Sequence, residues 1–277
     1  TPCWVSYVEM VKIAQGKSVL VKTTMENNFC LTAEQLEAAI TPATKLLLLC
    51  SPNNPTGSVY TLENLKAIVE VLKKYPQIVV LADEIYQHIL YTGKHETMAQ
   101  FPEIEDRLII INGVSKAYAM TGYRMGWLAS HDKDFITAVK RLQGQTISCA
   151  TTIAQRAAEA AYTGPQECVE EMRQVFEHRR DLIVRLAKDI PGMKVLEPQG
   201  AFYLFPDVSA FFGKKYNGQT IENANDVVNF LLQEAHVACV SGSAFGEDNC
   251  IRFSYATSED KIIEAMRRMK EMLAKLQ

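Results

Sequence analysis

Residues 109–127 read IIINGVSKAYAMTGYRMGW. The apolar, β-branched run at its start is typical of a buried strand, and Ser115-Lys116 follows where the chain must leave the sheet. Two glycines then bracket Arg124. A lysine that is partly desolvated near other cations becomes a nucleophile, and an arginine fork suits a phosphate. Taken alone, however, the stretch fits a surface lysine and an ordinary ion-pair arginine better.

The composition favours a cytoplasmic protein that binds small molecules. With 29 basic and 32 acidic residues interspersed, the net charge of −3 offers no surface that attracts nucleic acid or an anionic membrane. Seven scattered cysteines without a C-x-x-C pair are typical of buried thiols in a reducing compartment. The apolar runs are too short to span a bilayer, and no signal peptide occurs.

Strands and helices alternate along the first half of the chain. The apolar patterns and capping signals predict strands at 18–24, 45–50, 78–82, 107–113 and 124–129, and helices at 5–15, 33–40 and 62–72. The four leucines before Cys50 indicate a strand buried on both faces. The alternation predicts an α/β fold with a mainly parallel sheet covered by helices.

The pattern changes near residue 132 to longer helices and fewer strands. It predicts helices at 135–142, 151–162, 167–187, 224–235 and 258–277, and strands at 194–196, 201–205, 237–240 and 251–255. Gly164-Pro165 is a break. We therefore expect a large domain over residues 1–164 and a smaller α+β domain over residues 165–277, since single cores stop growing near roughly 250–300 residues.

Polar residues follow the carboxyl ends of the predicted parallel strands. These residues are Asn54, Asp83, Tyr86 and Lys116. Ligands of open α/β sheets bind outside such strand ends. Each residue alone has an ordinary structural explanation, such as a turn asparagine or a helix-capping aspartate. Together, at one edge of a sheet, they predict a site.

Five motifs occur in order along the chain. They are Asn53-Asn54-Pro55-Thr56-Gly57, Ala82-Asp83-Glu84-Ile85-Tyr86, Ser115-Lys116 with Gly122-Tyr123-Arg124-Met125-Gly126, Gly200-Ala201-Phe202-Tyr203, and Gly242-Ser243-Ala244-Phe245-Gly246 leading to Ile251-Arg252-Phe253-Ser254-Tyr255-Ala256. Over essentially the whole chain they resemble the class I aminotransferases, which are fold type I enzymes dependent on pyridoxal phosphate (PLP). The chain is most similar to the bacterial aspartate aminotransferases, and the resemblance implies a homodimer.

The resemblance also implies roles for single residues. Lys116 matches the lysine that forms the Schiff base and then moves the proton at the substrate Cα. Asp83 matches the carboxylate that keeps the pyridine nitrogen protonated, so that the ring withdraws electrons. Tyr86 and Asn54 match the pair that hydrogen-bonds the cofactor's phenolic oxygen. Arg124 matches a ligand of the phosphate.

Three further residues complete the implied site. Ser115 belongs to the cofactor-binding set, and Trp4 lies where the family stacks an aromatic ring on the pyridine, although a core tryptophan is an equally ordinary reading. Arg252 matches the arginine that grips the substrate α-carboxylate, with Asn54 also in the substrate-binding set. An arginine within an apolar strand is costly unless an anion meets it.

The implied reaction converts aspartate and 2-oxoglutarate to oxaloacetate and glutamate. Alternatives are an aminotransferase for alanine or aromatic amino acids, a PLP-dependent C–S lyase, and a non-catalytic binding protein made from a truncated aminotransferase. The family's chains are longer, and the match begins inside the large domain. We therefore expect part of the phosphate cradle and of the dimer interface to be missing.

Three positions depart from the family pattern. Gly113 stands where many relatives have a phosphate-binding serine, Cys3 where they often carry tyrosine, and Ser241 where they often carry proline. Other chemistries have weaker support. The five histidines show no metal-ligand spacing, no nucleotide-binding glycine motif occurs, and Ser243 lacks the flanking glycines of a nucleophile elbow.

Overall fold

The computed structural model describes all 277 residues, which form two compact units. The first unit comprises Thr1–Cys30, Asn53–Ser58 and Gln174–Gln277, and the second comprises Leu31–Pro52 and Val59–Arg173. Two segments of the first half of the chain thus belong with the C-terminal part. The domain boundary near residue 164 stays a prediction.

Eight α-helices and nine β-strands make up the regular structure. The helices are α1 (Val5–Ile13), α2 (Ala33–Ala39), α3 (Leu62–Lys73), α4 (Lys133–Thr146), α5 (Thr152–Thr163), α6 (Glu167–Lys188), α7 (Ala224–Glu234) and α8 (Glu259–Leu273). The strands are β1 (Leu46–Cys50), β2 (Val79–Asp83), β3 (Leu108–Gly113), β4 (Gly126–Ser130), β5 (Tyr203–Leu204), β6 (Lys215–Tyr216), β7 (Gln219–Thr220), β8 (Val240–Ser241) and β9 (Ile251–Ser254). No helix has both the length and the apolar character required to cross a bilayer.

The second unit is built on a four-stranded sheet in the order β1-β2-β3-β4. The first three strands are parallel, and β4 runs antiparallel to β3. The predicted α/β fold with a mainly parallel sheet is therefore confirmed. β1 is an edge strand, and its first residue, Leu46, is 41% exposed. The prediction that this strand is buried on both faces is wrong at that end.

Helix α3 shows how local signals place an element on the sheet. The Asn64 N–H donates to the Thr61 hydroxyl, and the Thr61 N–H donates back to the Asn64 side chain. This capping box satisfies donors that the first turn would otherwise leave unpaired. Leu65, Ile68 and Leu72 recur at helical spacing and are buried. Burial of that apolar stripe stabilises the helix.

The first unit contains short strands and amphipathic helices. Strands β5, β9 and β8 form an antiparallel sheet in that order, while β6 and β7 form a separate hairpin. Phe29, Phe205, Phe245 and Cys250 pack into one buried cluster beside this sheet. Helix α8 begins at Glu259, one residue after the predicted start, and ends at Leu273, before the predicted end.

Two predicted strands are absent from the first unit. Residues 18–24 join no ladder; the Thr1 amino group donates to the Val21 carbonyl, and the Thr23 N–H donates to the Thr1 carbonyl. The predicted strand 194–196 reduces to a single bridge between Lys194 and Asp207. Both segments have strand-like composition, but a strand also requires a neighbour to pair with.

Strand β4 begins later than predicted. The prediction starts this strand at Arg124, whereas the ladder starts at Gly126, opposite Gly113. Arg124 has a φ of 54° and lies in the left-handed region, which is incompatible with a strand.

Candidate active site

Asp83 lies at the carboxyl edge of the parallel sheet. It is the last residue of β2, with Cys50 and Ile111 as its register partners on the neighbouring strands. Its Oδ1 accepts a hydrogen bond from the Ile85 N–H at 3.1 Å. Residues 85–88 form turns and no helix begins there, so the carboxylate orders a turn and does not cap a helix.

Tyr86 and Lys116 meet at the same edge. Tyr86 lies in the turn after β2 and is only 4% exposed. Lys116 lies in the turn that follows β3, and its Nζ is 5.7 Å from the centroid of the Tyr86 ring. A cation at this distance is attracted by the ring face. The structure therefore brings the lysine to the tyrosine, beside the strand that ends in Asp83.

The Lys116 turn is anchored by Tyr118, which the sequence analysis did not single out. The Tyr118 hydroxyl donates to Gln166 Oε1 at 2.9 Å, and its ring packs edge-on against Tyr162 at 5.3 Å between centroids. Burial raises the pKa of Tyr118, and Tyr162 and Cys168 raise it further. The phenol therefore stays protonated and keeps its donor role. An aromatic residue two positions after the lysine is the only sequence signal for this contact.

Arg124 and Ser115 lie in the same unit. Arg124 Nη1 donates to the Thr121 carbonyl at 2.9 Å, and the exposed guanidinium has four further N–H donors for an anion. Ser115 is half-buried in the Lys116 turn. Their roles as phosphate ligands stay predictions.

Gly113 explains the first departure from the family pattern. A Cβ at this position would lie 2.9 Å from both Gly126 Cα and Met125 O, which are backbone atoms of the segment paired with β3. A serine cannot be placed there unless that segment moves. If a phosphate binds here, its donors would come from other positions, such as the predicted ligands Ser115 and Arg124.

In the first unit, Arg252 is held in a fixed orientation. It is the second residue of β9, and its Nη1 donates to Asn54 Oδ1 at 3.0 Å. The guanidinium carbon lies 4.6 Å from the Tyr203 ring centroid and 4.7 Å from that of Phe245. Aromatic faces favour a guanidinium and leave its edge for a carboxylate. The motifs contain both aromatic residues, but their contact with Arg252 is not evident from the sequence.

Asn54 lies in a tight, buried turn. The Asn53 N–H donates to the Ser58 carbonyl, and the Gly57 N–H donates to the Asn53 carbonyl, both at 2.9 Å. Gly57 has a φ of 70°, and a Cβ there would lie 2.5 Å from Pro198 Cβ. Because Asn54 Oδ1 accepts from Arg252, the orientation of the amide is set and Nδ2 is the donor side of the group.

Trp4 lies in the same unit, directly before α1. It is 37% exposed and packs edge-on against Tyr7 at 5.3 Å between ring centroids. Its predicted contact with a cofactor ring stays a prediction.

The donor groups of the second unit fit the chemistry of PLP. The amine of Lys116 matches its aldehyde, and the carboxylate of Asp83 matches its ring nitrogen. The phenol of Tyr86 matches its phenolic oxygen, and the guanidinium of Arg124 matches its phosphate. Together with the parallel sheet, this set defines the class as a fold type I PLP-dependent protein.

The comparison with known families is more specific. Residues 1–269 match the family described as aminotransferase class I and II. The chain belongs to that family, whose members use PLP. The resemblance that the five motifs indicate is therefore confirmed.

Three relatives give the degree of similarity. The bifunctional aspartate aminotransferase and glutamate/aspartate-prephenate aminotransferase of Petunia hybrida is 43% identical over 98% of this chain and 58% of its own length. The crystal structure of the Rhizobium meliloti aspartate aminotransferase has a TM-score of 0.96 and 42% identity, covering 100% of this chain and 70% of its own. The crystal structure of the Thermus thermophilus aspartate aminotransferase with maleate has a TM-score of 0.90 and 36% identity, covering 98% of this chain and 68% of its own. The chain thus spans 58% to 70% of the length of these relatives.

Proposed function

We propose that this chain carries the catalytic residues of a PLP-dependent aspartate aminotransferase, which moves the amino group of aspartate to 2-oxoglutarate. The observation that carries the proposal is the position of Lys116 Nζ, 5.7 Å from the Tyr86 ring centroid, in the turn after β3. Asp83 ends the adjacent parallel strand. An amine, a phenol and a carboxylate at one strand edge are the groups that this chemistry requires.

Lys116 and Asp83 have the proton-handling roles. When bound, PLP supplies an aldehyde that reacts with amines and a ring that delocalises the charge left when a Cα proton is removed. Lys116 would be the amine that holds that aldehyde and the base that moves the Cα proton. The Asp83 carboxylate keeps the ring nitrogen protonated, because an adjacent anion favours the charged form.

Five other residues would bind and orient the cofactor. The Tyr86 hydroxyl and the Asn54 amide would donate to its phenolic oxygen, and Arg124 would pair with its phosphate. Ser115 and Trp4 belong to the same proposal, as a phosphate donor and as a ring-stacking partner. In this scheme, the bond from Arg252 to Asn54 Oδ1 directs the asparagine N–H groups toward an acceptor.

Arg252 binds the α-carboxylate of the substrate. Its guanidinium is held between Tyr203 and Phe245, so little side-chain freedom is lost when a carboxylate arrives. Aspartate is the preferred donor because the Petunia and Rhizobium relatives are described as aspartate aminotransferases. The Thermus relative was solved with maleate, which is a four-carbon dicarboxylate like aspartate.

Prephenate is the second candidate for the amino acceptor. The description of the Petunia relative includes transamination of prephenate. Prephenate is a 2-oxo acid with a second carboxylate, so Arg252 would bind it in the same manner. Initial rates with glutamate as donor and either oxaloacetate or prephenate as acceptor separate the two. Release of 2-oxo acid and ammonia without an acceptor would instead indicate the C–S lyase alternative.

A lysine replacement tests the proposal. The purified protein with PLP should show a visible absorption band that borohydride abolishes, and it should transaminate aspartate. Lys116→Ala should lose both properties, whereas Lys140→Ala, on the exposed side of α4, should keep both. Turnover in Lys116→Ala equal to that of the unchanged protein contradicts the assignment. A protein that binds no PLP would support the non-catalytic alternative.

Assembly and location complete the proposal. We expect a homodimer, as the family resemblance implies. Sedimentation equilibrium measures the mass of the assembly and tests this expectation. The cytoplasmic location stays a prediction from the sequence; fractionation of cells that express the protein tests it.

A further inference from the structure

Glu84 is a buried carboxylate that none of the roles above uses. It directly follows Asp83 and is only 5% exposed. A carboxylate in such a place is costly unless hydrogen bonds satisfy it. The Thr97 hydroxyl donates to Glu84 Oε1 at 2.7 Å, and the Met98 N–H donates to the same oxygen at 3.3 Å. The carboxylate is therefore tied to a segment well beyond its own turn.

A histidine also lies close to this carboxylate. His95 Nε2 is 3.1 Å from Glu84 Oε2, which is ion-pair distance. Neither ring nitrogen of His95, however, makes a hydrogen bond of acceptable geometry. A hydrogen bond requires a suitable angle as well as a short distance. The hydrogen bonds to the Glu84 carboxylate are therefore those from Thr97 and Met98.

The backbone of Glu84 joins the same groups to the sheet. The Glu84 N–H donates to the Ile111 carbonyl of β3 at 2.9 Å. The Gln87 N–H donates to the Glu84 carbonyl at 2.9 Å and closes the turn around Tyr86, whose carbonyl accepts from the Ile89 N–H at 2.8 Å. Glu84 thus connects three parts of the chain: strand β3, the turn that contains Tyr86, and residues 97 and 98.

We propose that Glu84, held by Thr97, is a positioning residue for the Tyr86 hydroxyl. This rests on the proposed function, in which that hydroxyl donates to the phenolic oxygen of PLP. A hydrogen bond weakens steeply when its distance or angle departs from the optimum. The Tyr86 donor stabilises negative charge on the phenolic oxygen, so a displaced donor raises the apparent pKa of the cofactor's visible absorption band.

The test replaces Thr97 and titrates that band. Thr97→Val removes the hydroxyl that binds Glu84 and should raise the apparent pKa by roughly half a unit to one unit, the equivalent of one weakened hydrogen bond. Thr97→Ser keeps a hydroxyl and should retain the original value. Thr97 also caps the 3₁₀ helix Met98–Gln100 by accepting from the Ala99 N–H. Thr61→Val is therefore the matched control, because Thr61 caps α3 in the same way and should leave the band unchanged.

A double-mutant cycle shows whether the effect passes through Tyr86. Tyr86→Phe should give a larger upward shift, and Thr97→Val should add nothing to it, because the hydroxyl to be positioned is gone. Additive shifts, or no shift in Thr97→Val, would overturn the proposal. If Thr97→Val does not fold, Glu84→Gln serves in the same cycle, since it keeps the side-chain shape with a weaker acceptor.

Two further measurements separate this proposal from the proposed function. In cofactor-free protein, amide exchange at residues 84–89 should accelerate in Thr97→Val and not in Thr61→Val; equal rates in both variants count against the positioning role. If the unchanged protein shows no borohydride-sensitive band, the proposed function fails. If it shows the band and the Thr97→Val band titrates normally, only the positioning role fails.

Discussion

Arg252 donates a hydrogen bond from Nη1 to Asn54 Oδ1 at 3.0 Å, across 198 positions of sequence. The bond occupies one of the five N–H donors of the guanidinium and the only oxygen of the amide side chain. The rings of Tyr203 and Phe245 also contact the guanidinium and restrict its movement. A carboxylate would therefore meet a fork whose orientation is already set.

Arg252→Lys should weaken substrate binding more than it slows turnover. Lysine keeps the charge but loses the planar fork and the bidentate geometry. We expect KM for both amino acid and 2-oxo acid to rise about 10-fold to 100-fold, the range for a lost hydrogen bond to a charged group. Steady-state kinetics measure this change. Arg141→Lys, exposed on α4, is the control; an unchanged KM in Arg252→Lys would contradict the role.

Gly113→Ser should destabilise the protein, because the backbone leaves no room for a side chain at this position. Its Cβ would press on backbone atoms of Gly126 and Met125 at 2.9 Å. Overpacking of this kind costs about 1–3 kcal/mol in the free energy of unfolding. Urea denaturation measures the loss. Gly122→Ser is the matched control, because a Cβ there meets nothing within 4 Å. If Gly113→Ser is as stable as Gly122→Ser, the steric argument is refuted.

The sequence predicts those features whose determinants are local. Thr61 and Asn64 cap α3 with groups three residues apart, and Lys116 follows the end of an apolar strand. The sequence predicts a strand at 18–24 that the structure lacks, because a strand also needs a neighbouring strand to pair with. No local sequence pattern shows whether such a neighbour is present. The contacts of Arg252 with Tyr203 likewise depend on how distant segments fold together.

Two buried cysteines should make stability fall at alkaline pH. Burial raises the pKa of Cys30 from 9.0 to about 12. Burial also raises the pKa of Cys250, with added effects from Glu247 and Asp207. In the unfolded chain these thiols ionise near their ordinary value, so the unfolded state loses protons first and the free energy of unfolding falls as pH rises above 9.0. Each thiol contributes at most ~1.4 kcal/mol per pH unit.

Cysteine variants isolate this effect from other groups that titrate at alkaline pH. Urea denaturation at about pH 8 and about pH 10 gives the fall in the free energy of unfolding. The fall should be smaller in Cys30→Ala than in the unchanged protein. Cys149→Ala, at an exposed position, should show the full fall. An equal fall in all three proteins would mean that Cys30 does not titrate differently on folding.

Asp83→Asn should retain the cofactor but lose most of the turnover. The asparagine Oδ1 can still accept from the Ile85 N–H, so the turn after β2 should persist. The negative charge that keeps the ring nitrogen protonated is lost, and we expect kcat to fall by about 100-fold, the effect of losing one strong charge-assisted interaction. Cofactor absorbance and kcat on the same sample separate retention from turnover. Asp106→Asn, at an exposed site before β3, should change neither. A near-normal kcat in Asp83→Asn would show that the ring nitrogen does not depend on this carboxylate.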